Sequence, residues 1–160
     1  MCKDIAGKKE SASNFVVIGK EYGKKGNWDR AAIFFENAAG AGNLDGCFEL
    51  AECYFYGDGK PRDYVKAAQY YNLATQGTNP EAFIKLAWCY RLRKDGLASE
   101  EFSKVLLKEA ADRGSEEAKR ELEASYENTK KVKNIIQSLF DNGLAKEIDL
   151  GRTESRFSWN

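Results

Sequence analysis

A tyrosine returns along this chain at a near-constant interval, and that recurrence constrains the fold more than any other feature. Ile18-Gly-Lys-Glu-Tyr22, Leu50-Ala-Glu-Cys-Tyr54, Leu86-Ala-Trp-Cys-Tyr90 and Leu122-Glu-Ala-Ser-Tyr126 align, with the tyrosines 32, 36 and 36 residues apart. A second motif follows each of the first three. It reads Ala31-Ala-Ile-Phe-Phe35-Glu-Asn-Ala38, Ala67-Ala-Gln-Tyr-Tyr71-Asn-Leu-Ala74 and Ser103-Lys-Val-Leu-Leu107-Lys-Glu-Ala110, at a spacing of 36 both times. Glycine-centred turns close the units at Ala41-Gly-Asn43, Gln76-Gly-Thr78 and Arg113-Gly-Ser115. A period of this length marks a stack of supersecondary units, each unable to bury its apolar face alone.

Each unit reads as a helical hairpin. Leucine and tyrosine four apart share one helix face, and the small residue beside the leucine (Gly19, Ala51, Ala87) lets a neighbouring helix approach. Ala67, Tyr70, Tyr71 and Ala74 follow the i, i+3, i+4, i+7 pattern of an amphipathic helix. The turn glycines suit a left-handed C-cap, while Asp45 and Asn79-Pro80 fall where the next helix begins, as cap and first-turn residues. The pattern predicts helices over 12–24, 27–40, 45–56, 62–76, 80–92, 98–113, 115–131 and 132–142. The recurring residues are assigned to packing: Ile18, Tyr22, Phe35, Leu50, Tyr54, Tyr71, Leu86, Tyr90 and Leu107 form the expected repeat core.

Composition then removes whole classes of function. The 160 residues contain no histidine, so Ser-His-Asp and Cys-His nucleophilic sites and His-ligated metal sites are excluded. Twenty-five basic residues balance twenty-five acidic ones, against the basic footprint of a nucleic-acid binder. The longest fully apolar runs, Ala31–Phe35 and Leu86–Tyr90, have five residues, far below the roughly 20 of a membrane span. The opening MCKDIAGKKESAS lacks the apolar stretch of a signal peptide, and a cytoplasmic location is expected. The four cysteines include no C-x-x-C pair. Cys47 and Cys53 sit on opposite sides of a helix, so buried free thiols are expected rather than a disulfide framework. Gly57-Asp-Gly59-Lys-Pro lacks the ending of a phosphate loop, and the repeat already accounts for its glycines.

Residues 44–78, LDGCFELAECYFYGDGKPRDYVKAAQYYNLATQGT, resemble a Sel1-like repeat (SLR), a branch of the tetratricopeptide (TPR) superfamily. The resemblance rests on Cys47, Leu50-Ala51, Tyr54, Gly57-Asp-Gly59, Asp63-Tyr64-x-Lys66-Ala67, Tyr70-Tyr71, Ala74 and Gly77, and extends more loosely over about 11–127. Unit one has a loop four residues shorter, with Trp28 in place of Tyr64; unit three replaces the aromatic pair by Leu106-Leu107. In the partial fourth unit Glu123 stands where a small residue is expected, which suits a helix that ends the stack and faces water. The implied architecture is an all-α, right-handed solenoid: a leader (1–10), a TPR-like repeat (11–43), two SLRs (44–78 and 79–115), capping helices (116–145) and a polar tail (146–160). Val132, Ile135, Ile136, Leu139 and Phe140 form one stripe, read as the face of a capping helix lying back on the last repeat.

The resemblance implies a non-catalytic module binding another protein along the groove of the first helices, without cofactor, metal or nucleic acid. An inhibitor or immunity-type protein that blocks a toxin or enzyme is the alternative, and a hydrolase is a third and weaker reading. Self-association through an uncapped end or through Phe157 and Trp159 is a further expectation. Comparing equivalent positions isolates candidate contacts, because Lys20, Glu52, Trp88 and Ala124 share one position and Glu49 aligns with Lys85. Unit two thus offers acidic Glu49, Glu52 and Asp58. Unit three offers Trp88 beside Lys85 and Arg91, with Arg93 and Lys94 beyond. Aromatic and arginine side chains are the types enriched at binding hot spots. The partner-binding candidates are Glu49, Glu52, Lys85, Trp88 and Arg91.

Overall fold

The computed structural model describes residues 2–93 and 97–141. Seven helices follow in order: α1 (Cys2–Lys24), α2 (Trp28–Gly40), α3 (Leu44–Tyr56), α4 (Tyr64–Ala74), α5 (Glu81–Arg93), α6 (Leu97–Asp112) and α7 (Glu116–Asp141). No strand occurs among the described residues. Contacts divide the chain into two units, 1–119 and 120–160, the second described over the distal part of α7.

Within the first unit α1 packs on α2, α3 on α4 and α5 on α6, while α2 meets α3 and α4 meets α5. Helix starts are set by side-chain oxygens that satisfy otherwise orphaned amides. Asn27 accepts from the Arg30 amide, Asn43 from Gly46, Asp63 from Val65 and Lys66, Asn79 from Glu81, and Ser115 from Ala118. Asn43 is thus the cap of α3, and Asp45 adds negative charge in its first turn, where the helix dipole favours it.

The second helices bury a small–large–small face: Ala31, Phe35 and Ala38 in α2, Ala67, Tyr71 and Ala74 in α4. Gly19 of α1 is an interhelical spacer, since an added Cβ would stand 2.5 Å from the Phe35 ring. The recurring tyrosines stack on the next helix. Tyr22 lies on Phe34 at 5.4 Å and Tyr54 on Tyr70 at 5.9 Å, which are equivalent pairs in units one and two. In unit three the equivalent partner is Leu106, and Tyr90 instead meets the edge of Phe102, one helical turn earlier, at 4.9 Å.

Several expectations are corrected. Ile18 is not core: it is 38% exposed, whereas its counterparts Leu50 and Leu86 are at 1% and 2%. The cause is position: α1 packs on α2 and less extensively on α3, and Ile18 points away from both. Residues 1–10 are not a separate leader, since α1 starts at Cys2. Residues 115–131 and 132–142 are not two helices; α7 is continuous from Glu116 to Asp141, with no glycine or proline to break it. The five residues of the stripe from Val132 to Phe140 are 43–60% exposed. Among the turn glycines, Gly42 and Gly114 take left-handed φ angles of 79° and 93°, but Gly77 does not, and α4 ends on a right-handed Thr75. Lys94-Asp95-Gly96, the tail 146–160 and Phe157 and Trp159 lie outside the described residues.

Candidate functional site

The sequence-nominated residues converge on the seam between α3 and α5, the first helices of repeats two and three. Lys85 is at its centre, only 8% exposed. Its Nζ donates to Tyr56 Oη at 3.0 Å and stands 3.3 Å from Glu52 Oε1, with Glu81 at 4.0 Å. The same ammonium lies 5.2 Å from the ring centres of both Tyr56 and Trp88 and 5.9 Å from that of Phe55. The Trp88 and Phe55 rings and the Tyr56 hydroxyl therefore flank one cation, which the quadrupoles of the two rings favour. On its far side Glu52 accepts a short hydrogen bond from the hydroxyl of Tyr71, the fully buried tyrosine of α4.

The energetics follow from this wiring. Burial pulls the Lys85 ammonium toward its neutral form, but the Tyr56 bond and the Glu52 charge outweigh it and hold its pKa above the ordinary lysine value. Burial is also the main cause of the raised Tyr71 pKa, reinforced by its bond to Glu52, so the phenol stays protonated. A buried charge without a partner would cost several kcal/mol; here every charged member has one.

A second pair repeats the scheme one hairpin earlier. Lys20 of α1 meets Glu49 of α3 at 2.9 Å, and that bond raises the lysine pKa. Lys20 and Glu52 are equivalent positions, as are Glu49 and Lys85. The middle residue of one first helix thus pairs with the residue three places earlier on the next, and the signs invert from step to step. The charge contrast between repeats two and three is consequently closed by internal pairs. Trp88 is half-buried and tilted over Phe55 at 6.5 Å, and Arg91 is exposed on the same helix. Arg93's side chain and Lys94 lie outside the description.

Sequence reasoning brought out Glu52, Lys85 and Trp88 but missed Tyr56 and Tyr71. Tyr71 looked purely structural because it recurs as Phe35, which has no hydroxyl; that difference was the available signal. The described cysteines Cys47, Cys53 and Cys89 are buried and unlinked. Burial pushes the Cys53 thiol up to about 12, far from a reactive thiolate. The Gly57–Asp63 loop faces repeat one. Gly59, at φ 68°, lies where any Cβ would collide with the Trp28 carbonyl, and Lys60 pairs with Glu36 at 2.7 Å.

Comparison with known proteins fits this architecture. The Sel1 repeat family model matches residues 44–79. An uncharacterised Sel1-like repeat-containing protein of Schizosaccharomyces pombe is 44% identical over 41 residues, which is 26% of this chain and 6% of that protein. A crystal structure of a protective antigen from uropathogenic Escherichia coli, displaying an SLR fold, superposes with a TM-score of 0.66 at 18% identity. It covers 73% of this chain and 26% of the antigen. A Sel1 repeat protein from Oxalobacter formigenes gives 0.61 at 18% identity, covering 69% of this chain and 47% of the other. The chain therefore spans less than half the length of each of these proteins. Its second hairpin matches the Sel1 repeat by sequence, and the described helices share the fold of solved SLR proteins.

Proposed function

We propose that the chain is a non-catalytic protein-interaction module whose partner docks along the first helices, centred on the aromatic edge of the α3–α5 seam. The observation that carries this reading is the Lys85 cluster. Tyr56 is nearly half exposed and Trp88 partly so, yet both rings are pinned against one buried cation. Rigid aromatics beside an arginine present hot-spot chemistry at little ordering cost. In this reading Tyr56, Trp88 and Arg91 touch the partner, while Lys85, Glu52 and Glu49 hold the surface in shape. The carboxylates are engaged by Lys20, Lys85 and Tyr71, so a partner would be recognised through the aromatic rings rather than through an acidic patch.

The test uses a photo-crosslinking residue at position 56, and at position 105 on α6 as control, in lysate of the native host. Any protein captured at 56 alone is purified and titrated against the wild type, Trp88→Ala and Val105→Ala. Trp88→Ala is expected to weaken binding at least tenfold, with Val105→Ala near wild type. A Trp88→Ala protein that melts earlier but binds equally well would refute the seam as the interface.

A further inference from the structure

The distal half of α7 carries an amphipathic face that the repeat reading leaves unused. Val132, Ile135, Ile136, Leu139 and Phe140 occupy one arc of the helix, each 43–60% exposed. Residues 128–140, NTKKVKNIIQSLF, contain three lysines and no acidic residue. At 3.6 residues per turn Lys133 falls about 20° beyond Phe140 on one edge of the arc, and Lys131 about 40° beyond Ile135 on the other. Lys130 lies further round on the Lys133 side, and the opposite face carries Asn134, Gln137 and Ser138. All three lysines are exposed.

We propose that this segment binds the surface of an anionic lipid bilayer, lying in the plane of the interface. The stripe would enter the headgroup–acyl boundary, and lysines on both edges would extend their ammonium groups outward to lipid phosphates. Lysines on both sides of an apolar arc meet the demand of a flat anionic surface, which approaches a helix from both edges at once. Insertion across the bilayer is a different mode, and no described helix is long and apolar enough for it.

A second copy fits the same face poorly. The heptad seam runs Leu122, Ser125, Thr129, Val132, Ile136 and Leu139, so two of its layers carry hydroxyls. An antiparallel pairing that sets Leu122 against Leu139 also sets Ser125 against Ile136 and Thr129 against Val132, burying hydroxyls against apolar side chains. A parallel pairing stacks the two hydroxyl layers, Ser125 and Thr129, on themselves.

The experiment is flotation of the whole chain with unilamellar vesicles of phosphatidylcholine alone or with 30% phosphatidylserine, at about 0.1 and 1 M NaCl. Binding is expected on the phosphatidylserine vesicles only, and is expected to fall at high salt as the screening length drops from about 10 to about 3 Å. Replacing Lys130, Lys131 and Lys133 by glutamine should weaken partitioning roughly a hundredfold, at about 1 kcal/mol per lysine. Ile136→Glu with Leu139→Glu should abolish it. These positions are exposed, so circular dichroism should show helix content unchanged. No flotation, equal flotation on both vesicles, or indifference to either variant would overturn the proposal. So would a dimer in light scattering that the Ile136→Glu/Leu139→Glu variant dissolves, since a second copy would then cover the face.

Discussion

Repeats two and three follow the same backbone plan but hold together differently. In repeat two, Tyr54 lies flat on Tyr70, and Tyr71 carries a buried hydroxyl bonded to Glu52. Repeat three has Leu106 and Leu107 at those positions, and Tyr90 turns its contact to Phe102. Where repeat two has Ala67, repeat three has Ser103, whose hydroxyl is buried with no hydrogen-bond partner. The polar link that joins the two repeats, Glu52 to Lys85, is anchored from the repeat-two side through Tyr71. An aromatic pair thus supplies both stacking and a hydrogen bond, and a leucine pair supplies volume alone.

Alkaline pH should expose this contrast most strongly. Tyr71 and Lys85 both have folded pKa values raised above their ordinary ones, near 10 and 10.4. Above pH 10 the unfolded chain loses protons that the folded chain keeps, so stability is full below that point and falls as pH rises. Each such group contributes a slope approaching 1.4 kcal/mol per pH unit between its two pKa values. Tyr71→Phe should flatten the slope of a urea-melt series between pH 9 and 11, and an unchanged slope would count against the Tyr71 assignment.

Removing the link itself ranks next. Lys85→Met strands Glu52, which is a quarter exposed in its side chain, and should cost about 2 kcal/mol. Adding Glu52→Leu should recover most of that loss once Tyr71→Phe removes the buried hydroxyl that Glu52 accepts. A double-mutant cycle with no coupling would show that the two residues act separately. Phe102→Ala should then cost about 1–2 kcal/mol through the lost Tyr90 contact, discounted because Phe102 is 46% exposed. Tyr90→Leu should abolish most of that sensitivity; if it does not, Phe102 is packing elsewhere. The smallest effect has the opposite sign. Ser103→Ala should stabilise by about 1 kcal/mol, and Ala67→Ser should destabilise by a similar amount. Thermal melts of both would show whether repeats two and three respond as mirror cases.

The fold was legible because each hairpin reuses the same packing residues at one interval. The six helices of the three hairpins, their order and most of the core follow from the tyrosine and alanine registers, whereas α7 reads from sequence as two helices. What the sequence hid depended on neighbours. Ile18 matches Leu50 in type but not in environment, since burial depends on which helices cover a face. The Lys20–Glu49 and Glu52–Lys85 pairs join residues 29 and 33 apart, on helices whose relative register no local pattern specifies. Tyr90 kept its identity while its partner moved one turn, which an alignment of equivalent positions cannot show. The candidate contacts were therefore found by being unusual for their position, and the network that fixes them only in three dimensions.

The loop from Gly57 to Asp63 belongs to repeat two in sequence, yet its glycine rests on the start of α2 and its lysine on Glu36 of repeat one. In an ideal solenoid each hairpin is interchangeable, and neighbours meet only through helix faces. Here the cut points are offset. A fragment beginning at Leu44 would carry a loop shaped for a helix it no longer has. The exchangeable cassette runs from the start of α2 through the loop of repeat two, and shuffling or truncating this protein should respect that overlap rather than the visible period.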